Sequence, residues 1–270
     1  MFCDYHVHTH FSDDSEYIME DVILDAVKMR MDEICITDHV DYGIKVDVED
    51  HHKYPHKLLN VDYPRYFQDI KRLQALYPIS IKKGMEFGIQ THTIDQYQKL
   101  FDSYPFDFII LSCHQVNDLE FWTQDFQKGK SQKEYYERYY QEILNVIQVY
   151  KDYSVLGHLD LIVRYDLQGY YPFENVKDIV RRILKTVIED GKGIEVNTSS
   201  HRYGLKDMTP SLDILKLYKE LGGKIITIGS DSHQKEHLGA YIEETKDVLR
   251  NLGYQYYCTF DHMQPLFHQL

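Results

Sequence analysis

Cysteine is scarce and scattered. Cys3, Cys35, Cys113 and Cys258 form no C-x-x-C pair, which excludes a thiolate zinc knuckle and argues against a disulfide framework. Buried, reduced thiols are expected. Long apolar runs are missing too: stretches such as FDFIILSC from Phe106 fall far short of a bilayer, and the N-terminus has neither the basic start nor the long apolar segment of an export signal. A soluble, cytoplasmic protein with no membrane partner is expected. Basic residues are outnumbered, 30 against 43 acidic for a formal charge of -13, which disfavours nucleic acid or an anionic membrane as partner. An anionic small molecule would need positive charge supplied locally. No Pro/Gly/Ser-rich linker, low-complexity tract or repeat divides the 270 residues, so a single domain over 1–270 is expected.

What the chain does contain is a regular alternation. Short β-branched or aromatic runs recur at Phe2–His8, Glu33–His39, Ser80–Gly88, Phe106–His114, Ser154–Asp160, Gly193–Ser199 and Lys224–His233. Helical periodicity follows in stretches such as IMEDVILDAVKMRM from Ile18, FENVKDIVRRILKTVIED from Phe173 and SLDILKLYKELGG from Ser211. Repeated β-then-α units predict a parallel sheet with helices outside it, open or rolled into a barrel. A weak last strand, YYCTF from Tyr256, follows the final helix. In KEYYERYYQEILNVIQVY from Lys133, the spacing of Tyr136, Tyr139, Tyr140, Ile143 and Ile147 predicts a packing face rather than an aromatic binding box. The long irregular segment from Asp41 carries His51, His52 and His56, read as solvated side chains of a lid.

The stretch DYHVHTHFSDDS from Asp4 concentrates histidines and carboxylates in one place. His6 and His8, two apart on a strand, share a face and can bind one cation. H-x-H alone is weak evidence, but Asp38, His39, Glu86, His114, His158, Asp231 and His233 also fall at the C-terminal ends of predicted strands. Only the sixth strand end lacks such a residue. In barrels that end carries the chemistry, so a metal centre is expected. His10, His92, His201, His237, His262 and His268 lack the strand-end context and are read as peripheral.

In this order, HVHTHFSDDS, TDH, GMEFG, SCH, GHLD, NTSSHR and GSDSH resemble the PHP (polymerase and histidinol phosphatase) superfamily from Phe2 to about Leu252, and most closely its histidinol-phosphate phosphatases. The resemblance implies a distorted (β/α)7 TIM-like barrel with three divalent metal ions, zinc, manganese, iron or cobalt. It implies that His6, His8, Glu86 and Asp231 hold one ion, that Glu86 bridges to a second held by His114 and His158, and that Asp14, His39 and His233 hold a third. Many superfamily members have a histidine where Asp14 stands, and Asp13 is a one-residue alternative. Arg164 and Arg202 would clamp the phosphate. Three divalent ions outweigh three carboxylates, so a phosphate ester suits the site despite the acidic chain.

The activity implied is metal-dependent hydrolysis of L-histidinol phosphate to L-histidinol and phosphate, a step of histidine biosynthesis, by metal-activated hydroxide attack. Asp41, Asp160 and His201 lie where a proton donor to the leaving alcohol would sit, although Asp160 could instead orient a ligand. The acidic segment from Asp41 to Asp50 could attract the substrate amine. Two other readings stay open: a PHP phosphoesterase for another small ester (nucleotide, sugar phosphate or phosphotyrosine), and a non-catalytic metal- or phosphate-binding regulatory module.

Overall fold

The computed structural model describes residues 1–270. The predicted runs form seven parallel strands that neighbour one another in chain order: β1 (Cys3–Val7), β2 (Glu33–Ile36), β3 (Ser80–Gly88), β4 (Phe108–Ser112), β5 (Val155–Leu156), β6 (Gly193–Asn197) and β7 (Ile226–Gly229). A bridge between Val7 and Ser232 brings the last strand back to the first. There the His8 amide donates to the Ser232 carbonyl at 2.8 Å and the Ser232 amide to the His6 carbonyl at 3.2 Å. The sheet is therefore rolled into the expected seven-stranded barrel, as one domain.

Seven α-helices surround it: α1 (Met19–Lys28), α2 (Tyr63–Leu76), α3 (Ile94–Ser103), α4 (Gln132–Val149), α5 (Lys177–Glu189), α6 (Leu212–Glu220) and α7 (Ile242–Asn251). Each buries one stripe. In α5, Val180, Ile183, Leu184 and Val187 face inward at the spacing of one helix face. In α4, Ser131 and Glu134 form a capping box, and Tyr135, Tyr136, Tyr139, Tyr140, Ile143 and Ile147 are buried. The tyrosine-rich stretch is thus a packing face. All four cysteines are buried and unpaired, and no helix is long and apolar enough to cross a membrane.

One sequence-based expectation is corrected. The fifth strand ends at Leu156, short of the expected Asp160. The next residue, Gly157, sits so near β4 that a Cβ there would meet Ile110 Cγ2 at 2.5 Å and Ser112 Oγ at 2.7 Å, and His158 then turns to a φ of 23°. His158 and Asp160 consequently do not share a strand face. The expected last strand after the final helix is present, in a sheet of its own beside the barrel. Tyr256–Asp261 (β8) pairs antiparallel with Gln264–Gln269 (β9) through a turn at His262 and Met263, both with positive φ, as a two-residue hairpin requires.

This hairpin closes the N-terminal mouth of the barrel. The Tyr5 hydroxyl donates to Glu33 Oε1 at 2.5 Å and accepts the Phe260 amide at 2.8 Å, while Phe108 packs on both Tyr5 and Phe260. Tyr5→Phe strands a buried carboxylate oxygen and a buried amide. It is expected to cost about 1–3 kcal/mol, and about 2–4 °C of Tm per kcal/mol. Thermal unfolding of the two proteins checks this.

Candidate metal centre

Because neighbouring strands are in register, residues just beyond their C-terminal ends meet above the barrel. Glu86, near the end of β3, pairs with His39 of the two-residue strand His39–Val40. His6 and His8 come from β1 and the residue after it, and His114, His158, Asp231 and His233 follow β4, β5 and β7. The fully buried Glu86 carboxylate lies at the centre. Its Oε2 is 3.1 Å from His6 Nε2, 3.5 Å from His8 Nε2 and 2.9 Å from His39 Nδ1. Its Oε1 is 3.1 Å from His114 Nε2 and 2.8 Å from His158 Nε2. Asp231 Oδ1 stands 3.8 Å from His6 Nε2 and 3.5 Å from His8 Nε2. Asp14 Oδ2 is 3.5 Å from His39 Nε2 and 3.1 Å from His233 Nε2. Asp13, the alternative to Asp14, instead pairs with Lys45.

These donors suit metal ions. Atoms about 2.1 Å from one ion at tetrahedral angles lie roughly 3.4 Å apart, close to the separations around Glu86 Oε2 and Asp231. His8 Nε2 is buried with no hydrogen-bond partner, which is costly unless a cation meets it. The other nitrogen of several rings is occupied: His6 Nδ1 by Glu195 Oε1 at 2.6 Å, His8 Nδ1 by Ser12 Oγ at 3.2 Å and His114 Nδ1 by Asp41 Oδ1 at 2.8 Å. Each contact aims Nε2 inward and fixes the tautomer. Ser12 is itself held by Asp38 Oδ1 at 2.7 Å. Burial works against a charged Glu86, yet His6, His114 and His39 keep its carboxyl well below the usual carboxylate range. Against a similar burial cost, His6 lowers Asp231 in the same way.

The cluster forms the floor of a cavity of about 430 Å³. Arg164 and Arg202 line one side, each with a terminal nitrogen 3.6 Å from Asp231 Oδ2 and each lying over the Tyr203 ring. Arg202 donates to the Ser230 and Asp231 carbonyls. Arg164 donates to Ser199 Oγ at 2.5 Å, and its buried Nε has no partner.

The structure does not bring the three expected proton donors to the cluster as free acids. Asp41 is bound to His114 and lies 3.0 Å from Lys45 Nζ. Although burial opposes it, Lys45 and His114 hold the Asp41 carboxyl well below the usual range, and its contact with His114 Nδ1 orients that ring. Asp160 lies outside the cavity and accepts the Ser211 amide at 2.8 Å, joining the segment after β5 to the start of α6; burial pushes its carboxyl up to about 7. His201 is exposed and stacks on Tyr241 at 4.2 Å, away from the cavity. From the segment after Asp41, Lys45 and Leu58 line the cavity, whereas His51, His52 and His56 do not. His237, read as peripheral, does line it. Glu195 was missed, although a glutamate between Ile194 and Val196 inside an apolar strand was a readable signal.

A PHP domain model matches residues 4–199. This chain belongs to the PHP family. A histidinol-phosphatase of Lactococcus lactis is 33% identical over 269 residues, covering 97% of this chain and 95% of the relative. A crystal structure of histidinol phosphate phosphatase from the same species, complexed with zinc, L-histidinol and phosphate, superposes with a TM-score of 0.85 at 31% identity, covering 98% of each chain. A Listeria monocytogenes crystal structure, 20% identical, shares the fold with a TM-score of 0.73 over 88% of this chain and 98% of its own.

Glu195→Gln removes the charge behind His6 while keeping the shape. Loss of such a partner typically costs 10–100-fold in metal affinity. Titration of metal-free protein with zinc is expected to show a loss of about that size, with secondary structure unchanged by circular dichroism.

Proposed function

We propose that this protein is a phosphoric monoester hydrolase that converts L-histidinol phosphate to L-histidinol and phosphate in histidine biosynthesis. The observation that carries this reading is one buried carboxylate, Glu86, with histidine nitrogens against both of its oxygens, beside two arginines in one cavity. The likeness to a structure complexed with zinc, L-histidinol and phosphate supports the substrate. The proposed ligands are His6, His8, Asp231 and Glu86 Oε2 for the first ion, Glu86 Oε1, His114 and His158 for the second, and Asp14, His39 and His233 for the third. Asp14 suits this role because one of its oxygens approaches both histidines.

Zinc is the ion the relative's complex supports; imidazole and carboxylate donors also accommodate manganese, iron and cobalt. Divalent ions bound there supply an acidified water and neutralise phosphoryl charge. The protein's own part is orientation. Glu195, Ser12 and Asp41 fix the rings of His6, His8 and His114, and Arg164 and Arg202 offer planar donors that match phosphate oxygens. The proposed setting is the cytoplasm, with a small-molecule partner.

Three outcomes are expected. Chelation abolishes phosphate release, and added zinc restores it together with a higher Tm, as a ligand that binds only the folded state must. Against a panel of nucleotide, sugar and tyrosine phosphates, L-histidinol phosphate has the highest kcat/KM, and His8→Ala removes the activity; turnover of another ester in preference would retain the chemistry and overturn the substrate. Arg164→Ala lowers kcat/KM by about 10–100-fold, the cost of a lost charged hydrogen bond, and steady-state kinetics measure it.

A further inference from the structure

The phosphate-binding half of the cavity is accounted for by the arginines and the histidine cluster. The rest of an amino-alcohol ester needs a different wall. Five acidic residues line the cavity: Asp13, Asp14, Asp41, Glu120 and Asp231. Four of them are ion-paired, with Lys45 (Asp13, Asp41), with His39 and His233 (Asp14), or with His6, His8 and the arginines (Asp231). Glu120 has no cationic partner.

Glu120 is half-buried and next but one to Trp122, which also lines the cavity and is 61% exposed. A large aromatic ring at the mouth of a cavity, left in water, is a surface that a ligand can cover. The wall is rigid. Gln115–Val116 and Leu119–Glu120 form a short hairpin around Asn117 and Asp118, both with positive φ. Gln90 clasps that turn, donating to Asp118 Oδ1 and accepting the Asp118 amide, both at 2.8 Å. Phe121, between the two lining residues, is fully buried. Burial above all raises the Glu120 carboxyl from its ordinary value, so a cation placed beside it would relieve an unfavourable charge.

Resting on the function proposed above, we infer that Glu120 and Trp122 form the subsite for the cationic end of the substrate, selecting phosphate esters whose alcohol carries an ammonium or imidazolium group. A carboxylate gives the charge-assisted hydrogen bond and the indole face a cation–π or stacking contact. The acidic segment from Asp41 to Asp50 does not provide this: Asp41 is bound to Lys45 and His114, and Asp47, Glu49 and Asp50 do not line the cavity.

The test compares zinc-loaded wild type and Glu120→Gln on L-histidinol phosphate, O-phosphoethanolamine and glycerol phosphate. Glu120→Gln is expected to lower the kcat/KM ratio of each cationic ester over glycerol phosphate by about 10–100-fold, mainly through KM, at unchanged zinc content. Trp122 is the only tryptophan, so its fluorescence reports on this wall directly. L-histidinol is expected to shift the emission in wild type, at a concentration that rises about tenfold or more in Glu120→Gln. Ratios that do not move, or an emission blind to L-histidinol, would overturn the subsite while a wild-type preference for L-histidinol phosphate keeps the proposed function. If wild type favours both cationic esters alike and Glu120→Gln removes that preference, the subsite stands and the histidinol assignment falls.

Discussion

A fully buried carboxylate surrounded by imidazoles is the constraint on which the rest of the molecule depends. Glu86 is fully buried, and an isolated ion in such a place is prohibitively costly. Imidazole nitrogens that arrive from four different strands face both of its oxygens, the arrangement in which cations held between them would make that charge tolerable. Every one of those nitrogens lies within 3.5 Å of Glu86, which demands that the strand ends be fixed relative to one another. The closed barrel meets that demand.

The barrel achieves it by stopping its strands early. β5 contains only Val155 and Leu156, and the chain leaves it through Gly157, where no side chain could fit against Ile110 and Ser112. His158 can then turn back toward Glu86. On the opposite side, the two hydrogen bonds between His6, His8 and Ser232 both close the ring and set the H-x-H pair beside Asp231. Closure of the sheet and assembly of the site are the same event. At the other mouth, the Tyr256–Gln269 hairpin stoppers the barrel through Tyr5 and Phe260, leaving the C-terminal face as the open one.

The seven strand–helix units and most of the inner histidines were readable because both are local: period-2 and period-3.6 patterns reveal the units, and a histidine or carboxylate just past a strand marks the functional face, whereas closure into a barrel was implied only by the resemblance to the PHP superfamily. What was not readable was pairing between distant segments. Asp160 looked suited to the site from its place at the end of the expected fifth strand, but that strand ends four residues earlier, and its partner is Ser211. Asp41 looked like an acid because nothing in sequence shows that Lys45 and His114 will surround it. His237 reaches the cavity from a short turn after the last barrel strand and Glu120 from a two-residue arm of a small hairpin, both too short for a periodic pattern to reveal. Glu195 is the instructive case, since a charge inside an apolar strand has to face something, and that something is His6.

The most direct test of the account is the crystal structure of zinc-loaded protein with anomalous diffraction measured at the zinc edge. The account predicts three peaks, two of them bridged by the Glu86 carboxylate and the third between Asp14, His39 and His233. Density without an ion at either Glu86 oxygen, or ions bound elsewhere on the chain, would contradict it.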